Sequence, residues 1–316
     1  NKLGTQAQRT ERVKTVAGKI AQALGADTAM VALAERGALL AKADLLTDMV
    51  GEFPELQGTM GAYYALHDGH SQQVAQAIED HYKPRFAGDS LPRSDVGCLL
   101  ALADKLETLT GMFGIGNLPT GDKDPFALRR QALGVIRILL RAPFDTMHLD
   151  HLLESGLGIL AKESAIDADK AKSELYQFIL DRFAVNLKDQ GYSAFEVDAV
   201  LALHPQCLGD VPARMEAVRA FAAMPQAEAL AAANKRIGNI LKKAPEADTR
   251  QFSSAQLTLP AEKNLHLAMA QSVKQADAFY AQKNYTDSLK ALAALREPVD
   301  AFFNDVMVND PDEDMR

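Results

Sequence analysis

Apolar residues recur at steps of three and four along most of the chain, which is the spacing that places side chains on one face of an α-helix. The first predicted helix covers residues 11–24 and ends before Gly25, a residue type that commonly terminates helices. Its apolar face consists of Val13, Val16, Ala17, Ile20 and Leu24. No stretch alternates apolar and polar residues between hairpin turns, so the pattern predicts an all-α fold.

Further helical segments continue to residue 148 and predict a first domain over residues 1–148. Turn residues such as Asp68-Gly69 separate these segments, and Ser71 is a suitable N-cap for the fourth of them. The segment over residues 96–111 is apolar on most sides, which is typical of a helix at the centre of a domain. The predicted segments after the first helix are residues 35–53, 54–67, 71–82, 96–111 and 124–143.

Two more regions follow the first domain. Residues 149–210 predict a linking helical unit with one amphipathic helix from Leu175 to Leu187 and a shorter helix over residues 194–203. Residues 211–316 predict a final helical bundle with segments 212–223, 227–243, 261–280 and 286–308. Pro298 interrupts the last segment, because proline lacks an amide hydrogen and clashes with the preceding helical turn. We therefore expect two helices there, with Pro298 in the first turn of the second.

The formal net charge of −8 argues against a general affinity for nucleic acids, but it does not exclude a local basic patch. Such a patch occurs in residues 231–244, AAANKRIGNILKKA, whose basic side chains are Lys235, Arg236, Lys242 and Lys243. Phosphates are contacted patch by patch, so this helix is a candidate surface for a polyanion. Its apolar positions Ile237, Ile240 and Leu241 are expected to pack inward. A solvated helix face without a binding role is the alternative.

The cysteine content and the absence of an apolar leader or a long apolar run predict a cytoplasmic protein. Cys98 and Cys207 lie far apart in the sequence and are expected to be buried thiols. The sequence has no P-loop, no dinucleotide-binding fingerprint and no G-x-S-x-G motif. No catalytic residue is therefore predicted.

The first domain resembles the HD phosphohydrolases, in which histidines and aspartates from several helices hold divalent metal ions. The doublet His67-Asp68 does not match their helix order. The better register retains Asp44, His81 and Asp104 and loses two histidine positions. Three residual ligands predict a degenerate site without metal, and a buried pair of Asp104 with His81 is the alternative role. A metal-dependent phosphohydrolase is kept as an alternative function.

A second resemblance extends along nearly the whole chain. It rests on residues 231–244, on LREPVDAFFNDVMV (residues 295–308), on GDKDPFALRR (residues 121–130) and on FAGDSLP (residues 86–92). These runs are long and uncommon, and they resemble the β subunit of bacterial heterotetrameric glycyl-tRNA synthetase. The resemblance implies a C-terminal fragment of that subunit, with an HD-like domain, a linking unit and an anticodon-binding bundle of the DALR type.

The same resemblance implies the function and the partners. In this family the α subunit carries the site that uses ATP with Mg²⁺ to activate glycine, and the β subunit supplies tRNA binding. The chain is therefore expected to bind no cofactor itself and to be inactive in aminoacylation alone. Its expected partners are glycine tRNA and the α subunit in an α2β2 assembly. A purely structural helical scaffold is a further alternative.

The resemblance carries over a set of candidate tRNA-binding residues. In the run ANKRIGNIL, arginine and lysine side chains are expected to contact phosphates and asparagines to read exposed base edges. Helix capping or bridging is an equal alternative for the asparagines. Phe302 and Phe303 are expected mainly as core residues and less as a stacking surface. The candidate tRNA-binding residues are Asn234, Lys235, Arg236, Asn239, Lys242, Lys243, Arg129 and Arg130, and Asp124 is an alternative partner for the last two.

Overall fold

The computed structural model describes residues 2–121, 123–163, 165–243, 254 and 257–308. These residues form α-helices and short 3₁₀ helices with no β-strand, which confirms the all-α prediction for this part of the chain. By its internal contacts the chain divides into two compact units, a first unit Asn1–Asp210 and a second unit Val211–Arg316.

Ten α-helices lie in the described part of the first unit. They are α1 (Gln6–Ala23), α2 (Thr28–Leu40), α3 (Asp48–Glu52), α4 (Thr59–His67), α5 (Gln72–Asp80), α6 (Asp95–Gly114), α7 (Leu128–Leu139), α8 (Leu149–Glu163), α9 (Ala168–Asp189) and α10 (Ala194–Leu201). Short 3₁₀ helices occupy Ala43–Leu46, Pro54–Leu56, Phe144–Thr146 and Leu208–Asp210.

Helix α6 is the central element of the first unit. It begins at the N-cap Ser94, whose hydroxyl accepts a hydrogen bond from the amide of Gly97, and most of its residues are buried. Helices α1, α2, α5, α7, α8 and α9 all pack against it. The prediction of a buried apolar helix over residues 96–111 is therefore confirmed.

The prediction of one continuous helix over residues 35–53 is wrong. Helix α2 ends at Leu40, and a 3₁₀ turn and the short helix α3 follow. The hydroxyl of Thr47 stabilises the turn that separates the 3₁₀ helix from α3, because it donates to the carbonyl of Asp44 at 2.7 Å and accepts from the amide of Val50. Threonine and aspartate offer the backbone such local hydrogen bonds, and these bonds compete with a continuing helix.

Residues 149–210, which the sequence assigns to a separate linking unit, lie in the same compact unit as residues 1–148. Helix α8 packs on α1 and α6, and α9 packs on α6 and α7. The predicted helices at α9 and α10 are present, whereas the sequence pattern missed α8. A close approach of α8 to α6 occurs at Gly156, where an added Cβ atom would lie 2.8 Å from Oγ1 of Thr110.

The described part of the second unit contains five helices. They are α11 (Val211–Ala222), α12 (Ala227–Lys243), α13 (Pro260–Ala281), α14 (Tyr285–Ala293) and α15 (Arg296–Asp305). The predicted break before Pro298 is confirmed, because α14 ends at Ala293 and Pro298 lies in the first turn of α15. Helix α13 packs on α14 and α15, and α11 packs on α14.

Candidate functional site

The basic helix α12 presents its polar residues to solvent. Asn234, Lys235, Asn239 and Lys242 are all exposed, and the last three follow one another at steps of four and three. This spacing places them on one face of the helix, and we call these three residues the α12 stripe. The asparagine side chains make no hydrogen bond to the described residues, so the structure provides no capping or bridging partner for them. The side chain of Lys243 lies outside the described residues.

The inner face of α12 is only partly packed. Ile237 and Leu241 remain 38% and 67% exposed, although the sequence predicts that they pack inward. The prediction is wrong for Leu241, which stays mostly exposed although α12 packs on α11 and α15. The apolar spacing is compatible with the helix, but among the described residues it does not bury this face.

Arg236 differs from the other basic residues of α12. Its guanidinium carbon lies 4.0 Å from the centre of the Phe303 ring, which is a cation–π contact between α12 and α15. The rings of Phe303 and Phe302 meet edge to face with centres 5.6 Å apart, and both residues are half-buried. Arg236 therefore links α12 to α15 within the second unit.

The two arginines at the start of α7 lie in different surroundings. The carboxylate of Asp124 accepts the backbone amides of Leu128 and Arg129 at 2.7 and 2.9 Å, so it caps the helix and does not pair with the guanidinium groups. The guanidinium of Arg129 donates to the carbonyl of Gly121. Arg130 is exposed and makes no ion pair or hydrogen bond through its side chain with the described residues.

A buried charged cluster lies where the sequence places the degenerate HD positions. Lys42, His81 and Asp104 meet in it, and the last two are buried. The Nζ atom of Lys42 lies 2.6 Å from Nε2 of His81 and 3.4 Å from Oδ2 of Asp104. Nδ1 of His81 donates to the carbonyl of Ile78 at 2.5 Å, so its Nε2 is the acceptor for the ammonium of Lys42. The predicted neighbourhood of His81 and Asp104 is real, and a lysine joins the two.

The electrostatics of this cluster favour a neutral imidazole beside a charged carboxylate. Burial, and then the ammonium of Lys42, lower the pKa of His81 to about 3. Burial also lowers the pKa of Lys42. Although burial opposes it, the charges of Lys42 and Arg9 hold the pKa of Asp104 well below its usual range. At neutral pH the cluster therefore contains Asp104 as an anion and His81 as a hydrogen-bond acceptor.

Asp44 serves the backbone at the start of α4. Its Oδ2 atom accepts the amides of Gly58 at 2.6 Å and Gly61 at 3.2 Å. Gly58 has φ +82°, and a Cβ atom at Gly61 would lie 2.8 Å from Cγ2 of Ile78, so both positions suit glycine. The other oxygen, Oδ1, is buried without a hydrogen-bond partner among the described residues.

The residues at the HD positions do not fit a divalent metal ion. The ammonium of Lys42 contacts both His81 and Asp104, and a cation in that place repels a second one. Within the described ranges, no group of three histidine, cysteine, aspartate or glutamate side chains is arranged to hold a metal. His67 and Asp68 are both exposed at the end of α4.

Two arginines of α1 tie this helix to α6, and the sequence analysis missed them. Arg9 donates to Asp104 and to Glu107, both at 2.9 Å. Arg12 is buried and donates to Glu107 at 2.8 Å and to Glu163 of α8 at 3.0 Å. A signal for Arg12 was present, because it lies four residues before Val16 on the apolar face of α1.

The two cysteines differ in burial. Cys98 is buried, as predicted, and burial raises the pKa of its thiol to about 11. Cys207 is only half-buried, and its sulfur lies 2.9 Å from the carbonyl oxygen of Asp145.

No helix in the described ranges combines the length and the hydropathy that crossing a bilayer requires.

Comparison with known proteins places the sequence of this chain in a class of aminoacyl-tRNA synthetase subunits. The model of the family described as glycyl-tRNA synthetase beta subunit matches residues 1–202. The chain belongs to this family. The glycine–tRNA ligase beta subunit of Dechloromonas aromatica is 58% identical over 316 residues, and that of Polaromonas naphthalenivorans is 60% identical over 318 residues. Each alignment covers 100% of this chain and 44% of the relative, so the chain spans less than half the length of these proteins.

Proposed function

We propose that this chain is the tRNA-binding part of the β subunit of glycine–tRNA ligase and supports the attachment of glycine to its tRNA. The observation that carries the proposal is the identity of 58–60% to glycine–tRNA ligase beta subunits along the whole chain. This identity includes the second unit, which the family model does not match. The sequence-based placement at the C-terminal end of the subunit stays a prediction.

The proposal assigns the bond-making chemistry to a different polypeptide. The chain has no nucleotide-binding motif. In the charged cluster of its first unit, the ammonium of Lys42 already occupies the hydrogen-bonding position beside His81. ATP with Mg²⁺ would be used by the α subunit, and glycine tRNA and that α subunit would be the partners in an α2β2 assembly. The cytoplasmic location stays a prediction.

In this proposal the two units contain different types of domain. Residues 1–148 of the first unit would be an HD-like domain with an internal ion pair in place of metal ligands, and residues 149–210 would be the linking helical unit. The second unit would be an anticodon-binding bundle of the DALR type. The α12 stripe supports that assignment, because its lysine and asparagine side chains face solvent together and are not used in packing.

Binding of glycine tRNA to the purified chain tests the proposal. We expect an affinity that falls with rising salt and exceeds the affinity for a tRNA of another amino acid. The double variant Lys235→Ala/Lys242→Ala should weaken binding, and Lys274→Ala, which removes an exposed charge from α13, is the matched control. Equal affinity of the double variant and the wild type would remove the α12 stripe from the site.

The two alternatives predict different results, one in the same binding assay and one in metal analysis. A purely structural scaffold has no reason to prefer one tRNA over another. A metal-dependent phosphohydrolase would carry stoichiometric metal after purification without chelator. The contact of Lys42 with His81 and Asp104 speaks against the second alternative.

A further inference from the structure

An open cleft of about 350 Å³ lies on the first unit between the loop before α4, the loop after α5 and the start of α7. Its lining brings together residues that are far apart in the sequence. They are Glu55, Gln57, Tyr82, Pro84, Arg85, Arg130 and Gln131. Neither the family comparison nor the degenerate HD positions assign a role to this cleft.

The charges around the cleft favour an anion. Arg85 and Arg130 contribute two guanidinium groups, and among the described residues of the lining Glu55 contributes the single carboxylate. Arg130 has no partner among the described residues, and Arg85 forms an ion pair with Asp89 through Nε, at 3.5 Å. Both guanidinium groups therefore keep hydrogen-bond donors that the described part of the protein does not use.

The neutral lining adds further donors. The hydroxyl of Tyr82 is buried and has no hydrogen-bond partner among the described residues. Two groups contact the ring of Tyr82. Nζ of Lys42 lies 4.0 Å from the ring centre, and the centres of the Tyr82 and His81 rings are 3.9 Å apart. Burial raises the pKa of Tyr82, so the phenol keeps its proton and can donate it in a hydrogen bond. Gln57 and Gln131 supply amide groups at the rim.

We propose that this cleft binds a phosphate group of the RNA backbone, with Arg85 and Arg130 as the charged contacts and Tyr82 as a neutral donor. Guanidinium groups match phosphate oxygens in geometry and form strong charge-assisted hydrogen bonds with them. The inference rests on the proposed tRNA-binding function. It also separates the two sequence candidates, because Arg130 lines the cleft while Arg129 is engaged by Gly121.

The inference is tested by variants that remove positive charge from the cleft and by one that removes negative charge from it. Arg85→Ala/Arg130→Ala should weaken glycine tRNA binding roughly tenfold and reduce the slope of log K against log salt by about 1. Glu55→Gln should strengthen binding, because it removes the negative charge from the lining. Lys188→Ala, which removes an exposed lysine of α9, is the control and should change neither quantity. Equal thermal unfolding of all variants ensures that only folded proteins are compared.

The outcomes distinguish this inference from the proposed function. If the wild type binds tRNA but the double variant and Glu55→Gln bind it equally well, the cleft assignment is wrong and the proposed function stands. If the wild type ignores tRNA at low salt, both are wrong. Inorganic phosphate is the second probe. If it stabilises the wild type and not the double variant, while RNA affinity is unchanged, the cleft takes a free phosphate ion and the RNA assignment is overturned.

Discussion

The Nζ atom of Lys42 lies 2.6 Å from Nε2 of His81, so a partly buried ammonium donates to a buried neutral imidazole in the first unit. The same ammonium approaches Asp104 to 3.4 Å. An ammonium group of the protein itself therefore contacts two of the three residues that resemble HD metal ligands. This arrangement turns residues that resemble metal ligands into a structural charge cluster.

Removal of this cation should destabilise the first unit. Lys42→Met leaves the buried carboxylate of Asp104 with Arg9 as its remaining direct partner, and we expect a loss of about 2–3 kcal/mol in the free energy of unfolding. The measurement is chemical denaturation of the single variants and of Lys42→Met/Asp104→Asn. The two changes should be coupled by about 1 kcal/mol or more, because they act on one cluster. Strictly additive losses would contradict the contact.

The neutral state of His81 predicts a dependence of stability on pH. Its pKa is about 3 in the folded protein and about 6.5 in an unfolded chain, so below pH 6.5 only the unfolded state takes up the proton. The stability that this group contributes is complete above pH 6.5 and is lost as the pH falls towards 3. The expected slope approaches about 1.4 kcal/mol per pH unit near pH 5.

Comparison of two histidine variants isolates this effect. His81→Gln should flatten the dependence of unfolding free energy on pH between 6.5 and 4.5 relative to the wild type. His67→Gln changes an exposed side chain and should leave the dependence as it is. The same slope in all three proteins would show that His81 takes up its proton in the folded state.

Two glycines of α8 give a matched test of how α8 packs on α6. A Cβ atom at Gly156 would lie 2.8 Å from Oγ1 and 2.9 Å from Cγ2 of Thr110, so Gly156→Ala should cost about 1–3 kcal/mol. A Cβ atom at Gly158 would meet nothing within 4 Å, so Gly158→Ala should stabilise the helix by up to about 1 kcal/mol. Thermal and chemical unfolding measure both. Effects of the same sign would contradict the packing of residues 149–210 against α6.

The contact of Arg236 with Phe303 separates stability from binding in the second unit. Arg236→Ala and Phe303→Leu should each lower the unfolding free energy of this unit by about 0.5–1 kcal/mol, because either change removes the cation–π contact. Lys235→Ala, one residue away and exposed, should leave stability unchanged and act only on tRNA affinity. A loss of stability with Lys235→Ala, and none with Arg236→Ala, would reverse these roles.

Several elements could be predicted because their signals are local. Ser71 caps α5, Gly25 with φ +76° follows the end of α1, and Pro298 lies in the first turn of α15. Each depends on a few neighbouring residues and on the fixed geometry of a helix end. The prediction of one helix over residues 35–53 failed although the competing contacts are also local. Its apolar spacing continues through the segment, and the hydroxyl of Thr47 competes with it through contacts that periodicity does not register.

The candidate sites depended far more on tertiary structure. Lys42 meets His81 and Asp104 across separations of 39 and 62 residues, and nothing in the segment around Lys42 marks it as their partner. Arg85 and Tyr82 join Arg130 in one cleft in the same way. On α12 the sequence identified the basic residues, and only the position of Phe303 distinguishes Arg236 from the α12 stripe.

The sequence by itself determined that the chain is helical, where most helices lie and to which family it belongs, because periodicity, caps and long sequence runs are properties of the chain alone. The tertiary structure decided which charged side chains form buried ion pairs and which remain exposed for contact with a partner. Arg12 is buried against Glu107, whereas Arg130 faces an open cleft. The burial of a charge depends on which distant helix packs over it, and hydrophobic packing of the whole unit sets that arrangement.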